Sequence, residues 1–147
     1  MNSDFKDLLV ILDQEEVRYL VVGGYAVIFH SQPRYTKDLD IWLEPTPENA
    51  EKVMRAFVTF GVSTFGLDQK DFETEGTQLN IGMPPVAIDF LTSLPGVEFF
   101  QAWENRETVV SGEVTIQYLS KADLIAAKRK AGRAVDLADI DELERTD

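Results

Sequence analysis

The sequence contains no cysteine and only one histidine, His30. The missing cysteines exclude a disulfide framework, a thiolate zinc site and a cysteine nucleophile. A single histidine cannot build a multi-histidine metal site, and it leaves most histidine-relay schemes without their second member. We therefore interpret His30, near the end of a predicted helix, as a packed or helix-terminal residue rather than a catalytic base.

Positive charge is also scarce, because 14 lysines and arginines stand against 26 acidic residues and the net charge is −12. Such a surface repels a phosphate backbone over most of its area. A nucleic-acid partner would need a local basic patch to overcome that field. The candidate is the basic cluster of five residues within thirteen positions, Lys121, Lys128, Arg129, Lys130 and Arg133.

Long apolar runs and interdomain linkers are missing as well. No apolar run reaches the roughly 18 residues of a membrane-spanning helix, and the first residues lack a basic stretch followed by an apolar one. We therefore expect a soluble cytoplasmic protein with no membrane partner. The 147 residues, 44% of them hydrophobic and 27% charged, suit one domain over residues 1–147 with a substantial core.

Hydrophobic periodicity and capping residues predict a mixture of helices and strands. The predicted helices cover residues 3–15, 25–30, 46–60, 98–105, 121–130 and 134–144. The predicted strands cover residues 17–22, 38–43, 78–83, 86–91, 108–110 and 114–119, with Pro84-Pro85 joining the third and fourth. Residues 68–76 are polar and fit a turn or a short helix. The mixture predicts an α/β or α+β domain, with a mixed central sheet and flanking helices.

Two glycines and two aspartates form the most informative stretch of the chain. Gly23-Gly24 ends a strand and opens a helix, so the backbone can approach a ligand and free N–H groups can point at a phosphate. Asp38 and Asp40 lie two residues apart on the next strand and therefore share one face. This spacing suits two adjacent Mg²⁺ ions, and paired divalent ions about 3.5–4 Å apart are the usual clamp for phosphoryl or nucleotidyl displacement.

Two further charged residues fall on apolar patterns. Asp89 lies inside the predicted strand 86–91, where a charge is costly unless a metal or a partner compensates it. It is the natural third ligand. Lys128 lies on the apolar stripe of its helix, where a phosphate or a carboxylate such as Asp136 would explain an ammonium group.

Taken in order, these motifs resemble the nucleotidyltransferases of the DNA polymerase β superfamily. The shared pattern is a hydrophobic residue before Gly-Gly or Gly-Ser, then Asp-hydrophobic-Asp/Glu-hydrophobic, then a later carboxylate; this chain has Val22-Gly23-Gly24, Asp38-Leu39-Asp40-Ile41 and Asp89. The lead-in Arg34-Tyr35-Thr36-Lys37 and the segment 119–139 look most like the AbiEii-type toxin branch. The chain is also similar to the small aminoglycoside and lincosamide nucleotidyltransferases. Its second glycine replaces the serine of many members, which removes a hydroxyl.

The resemblance implies transfer of a nucleoside monophosphate from a nucleoside triphosphate to an acceptor hydroxyl. The acceptor would be a tRNA end or a small hydroxylated molecule, and the chain could be the toxin of a toxin–antitoxin pair with an antitoxin protein as partner. Asp38, Asp40 and Asp89 would be the metal ligands for two Mg²⁺ ions, with Asp89 alternatively the base that activates the acceptor. The residues implied to bind the nucleotide are Gly23, Gly24, Arg34, Thr36 and Lys128.

Two other functions fit the same residues. The chain could be a catalytically weak module that holds a nucleotide or a protein, because 147 residues leave little room for a separate acceptor-binding domain. It could also be a nuclease or phosphatase, although that reading explains Gly23-Gly24 less well. The arrangement of the three carboxylates beside an open or a filled groove separates the enzyme from the binding module.

Overall fold

The computed structural model describes residues 2–83 and 86–146. Its strands are β1 (Tyr19–Val22), β2 (Asp38–Leu43), β3 (Gln78–Met83), β4 (Val86–Leu91), β5 (Glu107–Ser111) and β6 (Val114–Tyr118). Its helices are α1 (Ser3–Gln14), α2 (Gly23–His30), α3 (Pro47–Phe60), α4 (Phe99–Glu104), α5 (Lys121–Ala131) and α6 (Ala134–Arg145), with a 3-10 helix at Gln69–Glu73. The predicted turn at Pro84-Pro85 lies outside the described residues.

The strands form one six-stranded mixed sheet in the order β3-β4-β2-β1-β6-β5. The pairs β2–β4 and β1–β6 are parallel, whereas β1–β2, β3–β4 and β5–β6 are antiparallel. Helix α1 packs against α3 and β6, and α5 pairs with α6 while both contact α2. The predicted mixed sheet with flanking helices is therefore confirmed.

The alternating pattern of β2 places its carboxylates as predicted. Leu39 and Ile41 are fully buried in the core, whereas Asp38 and Asp40 between them keep partial solvent exposure. Side chains of a strand alternate between its two faces, so both aspartates lie on the face of β2 opposite Leu39 and Ile41. The apolar residues of β2 thereby fix the orientation of the carboxylates.

Capping residues set the ends of the helices around the sheet. The Thr46 hydroxyl accepts the backbone N–H of Asn49 at the start of α3, and the Ser120 hydroxyl accepts that of Asp123 at the start of α5. Helices α3 and α5 end at Gly61 and Gly132, which adopt the left-handed conformation that glycine tolerates best. Both helices thus start and stop close to where the sequence predicts.

The first strand is shorter than predicted. It begins at Tyr19 instead of Val17, because the backbone of Arg18 bonds to a side chain. The Arg18 N–H donates to Asn49 Oδ1 at 2.8 Å, and Asn49 Nδ2 donates back to the Arg18 carbonyl at 3.0 Å. Helix α2 in turn begins at Gly23, two residues earlier than the predicted start at Tyr25.

Across the described ranges we find no helix with the length and apolar character needed to cross a membrane.

Candidate active site

Two carboxylates from neighbouring parallel strands face each other at the centre of the sheet. Asp40 of β2 is in register with Asp89 of β4 on one side and with Val22 of β1 on the other. Asp38 lies two residues before Asp40, on the same face of β2. Asp38, Asp40 and Asp89 therefore lie on one face of two paired strands, with Asp40 directly beside Asp89.

The proximity of these carboxylates changes the protonation of one of them. Burial raises the pKa of Asp40 to about 7, and the charge of Asp89, a hydrogen bond with Asp89 and the charge of Asp38 add to this effect. Lys128 acts in the opposite direction. Asp40 is therefore a carboxyl group that a nearby cation would help to ionise.

Gly23 is the residue that allows the Asp40 carboxyl group to occupy its position. The backbone of Gly23 has φ +66°, and a Cβ atom added there would overlap Asp40 Oδ2. Gly24 has a similar role against Thr36, because a Cβ at Gly24 would lie 2.5 Å from Thr36 Oγ1. Both glycines are thus required for close packing, besides any contact with a ligand.

The same glycines form an uncapped helix start. Helix α2 begins at Gly23, and no side chain among the described residues accepts a hydrogen bond from its first N–H groups. The first N–H groups of a helix have no partner within the helix, and the helix dipole favours an anion there. The start of α2 therefore offers backbone donors beside the carboxylates.

Asn80 is a member of the site that the sequence analysis missed. It pairs with Asp89 across β3 and β4, and its Nδ2 donates a hydrogen bond of 2.6 Å to Asp89 Oδ1. The only signal in the sequence was its place on the strand that pairs with the Asp89 strand. Asn80 orients one oxygen of Asp89 and leaves the other to Asp40 or to a ligand.

Lys128 lies at the junction of α5 and α6 within a group of ion pairs that we call the charge cluster: Arg34, Lys128, Arg133, Asp136 and Asp139. Its Nζ lies 2.9 Å from Asp139 Oδ2 and 3.7 Å from Asp136 Oδ1, and its side chain is only 12% exposed. The predicted carboxylate partner of Lys128 is present, with Asp139 as a second and closer one. The charge cluster therefore explains how an ammonium group lies on this helix face.

Two arginines complete the charge cluster. Arg34 Nη1 lies 2.5 Å from Asp139 Oδ1, and Arg133 Nε lies 2.7 Å from Asp136 Oδ2. Three cations thus share two carboxylates, which leaves one positive charge in a chain whose net charge is −12. This local positive charge lies close enough to Asp40 for Lys128 to lower the pKa of Asp40.

Hydrogen bonds keep the two carboxylates of the charge cluster ionised. The side chain of Arg133 holds the pKa of Asp136 below its usual value, with support from the Arg133 backbone. Burial by itself would raise the pKa of Asp139, but hydrogen bonds from Arg34 and Lys128 bring that pKa below its usual value. Both aspartates act as acceptors for fixed cations.

A groove of about 470 Å³ connects Asp40 with the charge cluster. Gly23 and Asp40 line it together with Lys128, Arg133 and Asp136. The rest of its lining is mostly apolar and comes from β1, β3, β4, the loop after β4 and α5. The groove is open and its volume is that of an ordinary small-molecule site.

The remaining predicted site residues lie on the segment that precedes β2. Thr36 packs against Gly24, and Arg34 lies in a neighbouring groove with Pro33 and Asp139. In this structure Arg34 and Thr36 therefore support the loop and the start of α2. Their assignment to nucleotide contacts stays a prediction.

The donor chemistry of the site fits a divalent cation. Asp40 and Asp89 offer oxygen ligands, and a bound cation would offset both the burial and the neighbouring negative charges that raise the pKa of Asp40. Within residues 2–83 and 86–146, no three acidic or histidine side chains already form a metal-ligand cluster. Mg²⁺ is usually bound by one or two carboxylates together with substrate phosphates, so a closed protein cage is not required.

Comparison with known proteins identifies the family and the fold. The family model described as a nucleotidyltransferase of unknown function (DUF6036) matches residues 3–145. No curated protein matches the chain. The resemblance to nucleotidyltransferases is confirmed at this level, whereas the narrower likeness to the AbiEii-type branch stays a prediction.

Three solved structures share the fold. Lincosamide antibiotic adenylyltransferase LnuA with lincomycin bound is 14% identical, with a TM-score of 0.57 over 98% of this chain and 96% of that one. A candidate nucleotidyltransferase from Thermotoga maritima is 16% identical, with a TM-score of 0.62 over 96% and 90%. An antigenic nucleotidyltransferase-like protein from Paracoccidioides brasiliensis is 14% identical, with a TM-score of 0.55 over 97% and 76%.

Proposed function

Because the chain belongs to the family of nucleotidyltransferases of unknown function DUF6036, we propose that it catalyses Mg²⁺-dependent transfer of a nucleoside monophosphate to an acceptor hydroxyl. The observation that carries the proposal is the contact between Asp40 and Asp89 beside Gly23, at the uncapped start of α2. Carboxylates and free backbone N–H groups are thereby presented together to one ligand. A nucleoside triphosphate with bound metal has both complementary features.

The proposed reaction is an in-line displacement at the α-phosphorus. The acceptor oxygen forms a bond to the α-phosphorus, the bond from that phosphorus to the bridging oxygen breaks, and pyrophosphate leaves. Two bound Mg²⁺ ions would neutralise the triphosphate and polarise the acceptor oxygen. Asp38, Asp40 and Asp89 would hold the ions, with Asn80 fixing the orientation of Asp89. The proton of the acceptor hydroxyl passes to Asp89 if Asp89 is not a ligand, and to solvent water if it is.

The triphosphate would be held by the start of α2 and by the charge cluster. Gly23 and Gly24 present backbone N–H groups, and the ammonium group of Lys128 faces the same groove. Arg34 and Thr36 would contribute through the segment that they support. The positive charge left over in the charge cluster favours a polyanion at this one place on an acidic protein.

Among acceptors, we favour a small hydroxylated molecule over a tRNA end. The basic cluster predicted as an RNA surface is mostly engaged: Lys128 and Arg133 pair with acids of α6, Arg129 pairs with Glu144, and Lys121 donates to the Thr146 carbonyl. These pairs offset much of the positive charge of the basic cluster, and the positive charge that remains lies at the groove, where it suits a triphosphate better than an extended phosphate backbone. Among the structures that share the fold, the lincosamide adenylyltransferase has a small antibiotic bound.

A tRNA acceptor remains the alternative, and a toxin role with an antitoxin partner depends on it. Transfer from an α-labelled nucleoside triphosphate to either acceptor class separates the two. Label that enters a small hydroxylated compound supports our order of preference. Label that enters tRNA alone reverses it.

The test of the proposed function is the melting temperature with each of the four nucleoside triphosphates, with and without Mg²⁺. We expect a Mg²⁺-dependent rise for at least one nucleotide, because a ligand that binds only the folded state stabilises it. The double variant Asp38→Asn with Asp40→Asn should lose the rise. Asp141→Asn, an exposed position on α6, is the matched control and should keep it.

A nucleotide-binding module without turnover is the second candidate function. Two observations favour it: Asp89 is engaged by Asn80, and the described part of the chain holds no preformed three-ligand metal cluster. In that case nucleotide binding would be Mg²⁺-dependent, but no acceptor would become labelled. Asn80→Ala removes the hydrogen bond to Asp89 Oδ1. For a binding module, this variant should not label an acceptor either.

A further inference from the structure

A second row of side chains lies beside the carboxylates on the same face of the sheet. Asp40 pairs with Asp89, and two residues further along β4 Leu91 pairs with Gln78 of β3. Two strand spacings of about 4.8 Å and a two-residue rise of about 6.7 Å place the Cα atom of Gln78 roughly 12 Å from that of Asp40. This is comparable with the reach of a nucleotide from its α-phosphate to the far edge of its base.

The groove changes character along this row. Its charged residues lie near Gly23, where Asp40 and Lys128 line it beside the apolar Val22 and Leu124, whereas Leu91, Leu94 and Pro95 line it on the side of Gln78. Helix α5 supplies small residues to the lining, Ala127 and Ala131. Apolar side chains with a single polar group among them are typical of a pocket for a flat, partly polar ring.

The walls of this part of the groove are held by the fold. Thr77, which precedes Gln78, receives a hydrogen bond from the Thr92 N–H at 3.0 Å and donates its own N–H to Thr92 Oγ1 at 2.9 Å. The loop that carries Leu94 and Pro95 continues to Gly96, where a Cβ atom would lie 2.9 Å from Lys130 Cβ of α5. The loop therefore packs directly against α5, and Gln78 projects from an anchored strand end.

We propose that this part of the groove, which we call the base pocket, holds the adenine ring of the donor nucleotide and that Gln78 is the residue that recognises it. The base pocket is formed by Gln78, Leu91, Leu94, Pro95, Ala127 and Ala131. This inference rests on the proposed function, since it places the nucleoside of the same triphosphate. The nucleotide would thus bind in one orientation, with its phosphates near Gly23 and Lys128 and its base at Gln78.

The chemistry of Gln78 favours adenine over the other bases. A carboxamide offers one acceptor and two donors, which complement the adjacent N6 donor and N7 acceptor of adenine. Guanine presents two acceptors at the corresponding edge and is matched by arginine or lysine. Of the two cations of the groove, Lys128 is assigned to the phosphates and Arg133 is held by Asp136. Pyrimidines offer less surface to the apolar walls.

The experiment compares the affinities of Mg²⁺-bound ATP, GTP, CTP and UTP in the wild type and in Gln78→Ala. We expect the wild type to bind ATP at least about fivefold more tightly than the others, since one bidentate pair provides that discrimination. Gln78→Ala should weaken ATP about 5- to 100-fold and leave the other three within about twofold. Gln101→Ala, at an exposed glutamine on α4, is the matched control and should change none of them.

Photolabelling locates the base without relying on turnover. Irradiation with 8-azidoadenosine triphosphate should label a peptide from residues 78–96 or 124–131, and excess ATP should suppress the labelling. Label confined to other peptides would overturn the base pocket.

The outcomes separate this inference from the proposed function. If the wild type binds all four nucleotides alike, or if Gln78→Ala weakens all four equally, the base pocket is wrong while the proposed function stands. If the wild type prefers GTP or a pyrimidine nucleotide, adenine recognition by Gln78 is also wrong. If no nucleotide binds even with Mg²⁺ present, the proposed function fails and the inference fails with it.

Discussion

Asp40 of β2 lies directly opposite Asp89 of β4, and burial together with the nearby Asp89 raises the pKa of Asp40 to about 7. Two adjacent carboxyl groups in a partly buried site cannot both ionise without cost. This unfavourable free energy of ionisation occurs at the position where the sequence resembles a metal-dependent nucleotidyltransferase. A cost of this kind, kept beside a groove, is typical of a functional site.

The pair makes the metal-free protein less stable near neutral pH. The pKa of Asp40 is higher in the folded than in the unfolded state. Ionisation of Asp40 therefore leaves the free energy of unfolding unchanged at acidic pH and lowers it as the pH rises from about 4 to about 7. Asp40→Asn should therefore raise the melting temperature of the metal-free protein above about pH 7. The gain should vanish near pH 4, where the wild-type carboxyl group is protonated.

Melting curves with a chelator present, recorded across this pH range, check the prediction. Asp141→Asn removes an exposed carboxylate of α6 and serves as the control. A gain of Asp40→Asn that is equal at pH 4 and pH 8 would show that the effect does not come from the titration of Asp40.

Gly23 provides a test of the packing against Asp40. Gly23→Ala should destabilise the fold, because it combines a strained left-handed backbone with an overlap on the Asp40 carboxyl group. Gly112 has a similar φ of +62° but no atom within 4 Å of an added Cβ. Gly112→Ala should cost only the backbone strain, about 1–2 kcal/mol, and should keep nucleotide binding.

Chemical denaturation and nucleotide titration of both variants measure the difference. We expect Gly23→Ala to cost more than Gly112→Ala and to lose Mg²⁺-dependent nucleotide binding. Equal costs with binding retained in both variants would mean that the close approach of Gly23 to Asp40 has no functional importance.

Lys128 should affect the phosphate end of the ligand. Lys128→Met removes an ammonium group that lines the groove, and nucleotide affinity should fall about tenfold or more, since hydrogen bonds to charged groups are strong. The loss should be largest for triphosphates and smallest for the nucleoside. Lys130→Met, on the exposed side of the same helix, should leave affinity nearly unchanged.

Titration with adenosine, AMP and ATP checks this dependence on phosphate. If Lys128→Met weakens the binding of all three ligands equally, the loss reflects a general packing defect instead of a phosphate contact.

Asp139 should be important for stability because it forms ion pairs with both Arg34 and Lys128, and its side chain is only 7% exposed. Asp139→Asn leaves both cations with weaker partners and should cost about 2–4 kcal/mol at neutral pH. Its folded pKa is lowered, so this stability is present above the unfolded value near 4 and is lost as the pH falls through the folded pKa. The difference between wild type and variant should therefore shrink below about pH 4.

Urea denaturation at neutral and acidic pH measures that difference. Glu142→Gln, which removes an exposed pair with Arg145, should cost less than about 1 kcal/mol. If Asp139→Asn proves as mild as Glu142→Gln, the charge cluster does not stabilise the junction of α5 and α6.

The sequence predicts the parts of this site that depend on local pattern. Alternation in β2 places Asp38 and Asp40 on one face, and the order of motifs brings Asp89 to the neighbouring strand. The likeness in order to known nucleotidyltransferases predicted the fold, which the structure and the family match confirm. The first of these features follows from alternation within one strand, and the other two follow from the order of short motifs along the chain.

The features that the sequence missed depend on contacts between distant residues. The Arg34–Asp139 pair spans 105 positions, and the late start of β1 depends on Asn49, 31 positions from Arg18. Asn80 becomes part of the site only through the register of β3 against β4. No periodicity or capping pattern encodes such pairings, because they arise from the tertiary arrangement.

The most direct test of the account is calorimetric titration of Mg²⁺-bound ATP into the protein at about pH 6, in two buffers with different ionisation enthalpies. Near this pH much of Asp40 carries a proton that a bound divalent ion would displace. We predict binding with net proton release, and we predict that Asp40→Asn releases about one proton fewer or does not bind. Absence of binding in the wild type, or equal proton release in both proteins, would contradict a metal-dependent nucleotide site at Asp40 and Asp89.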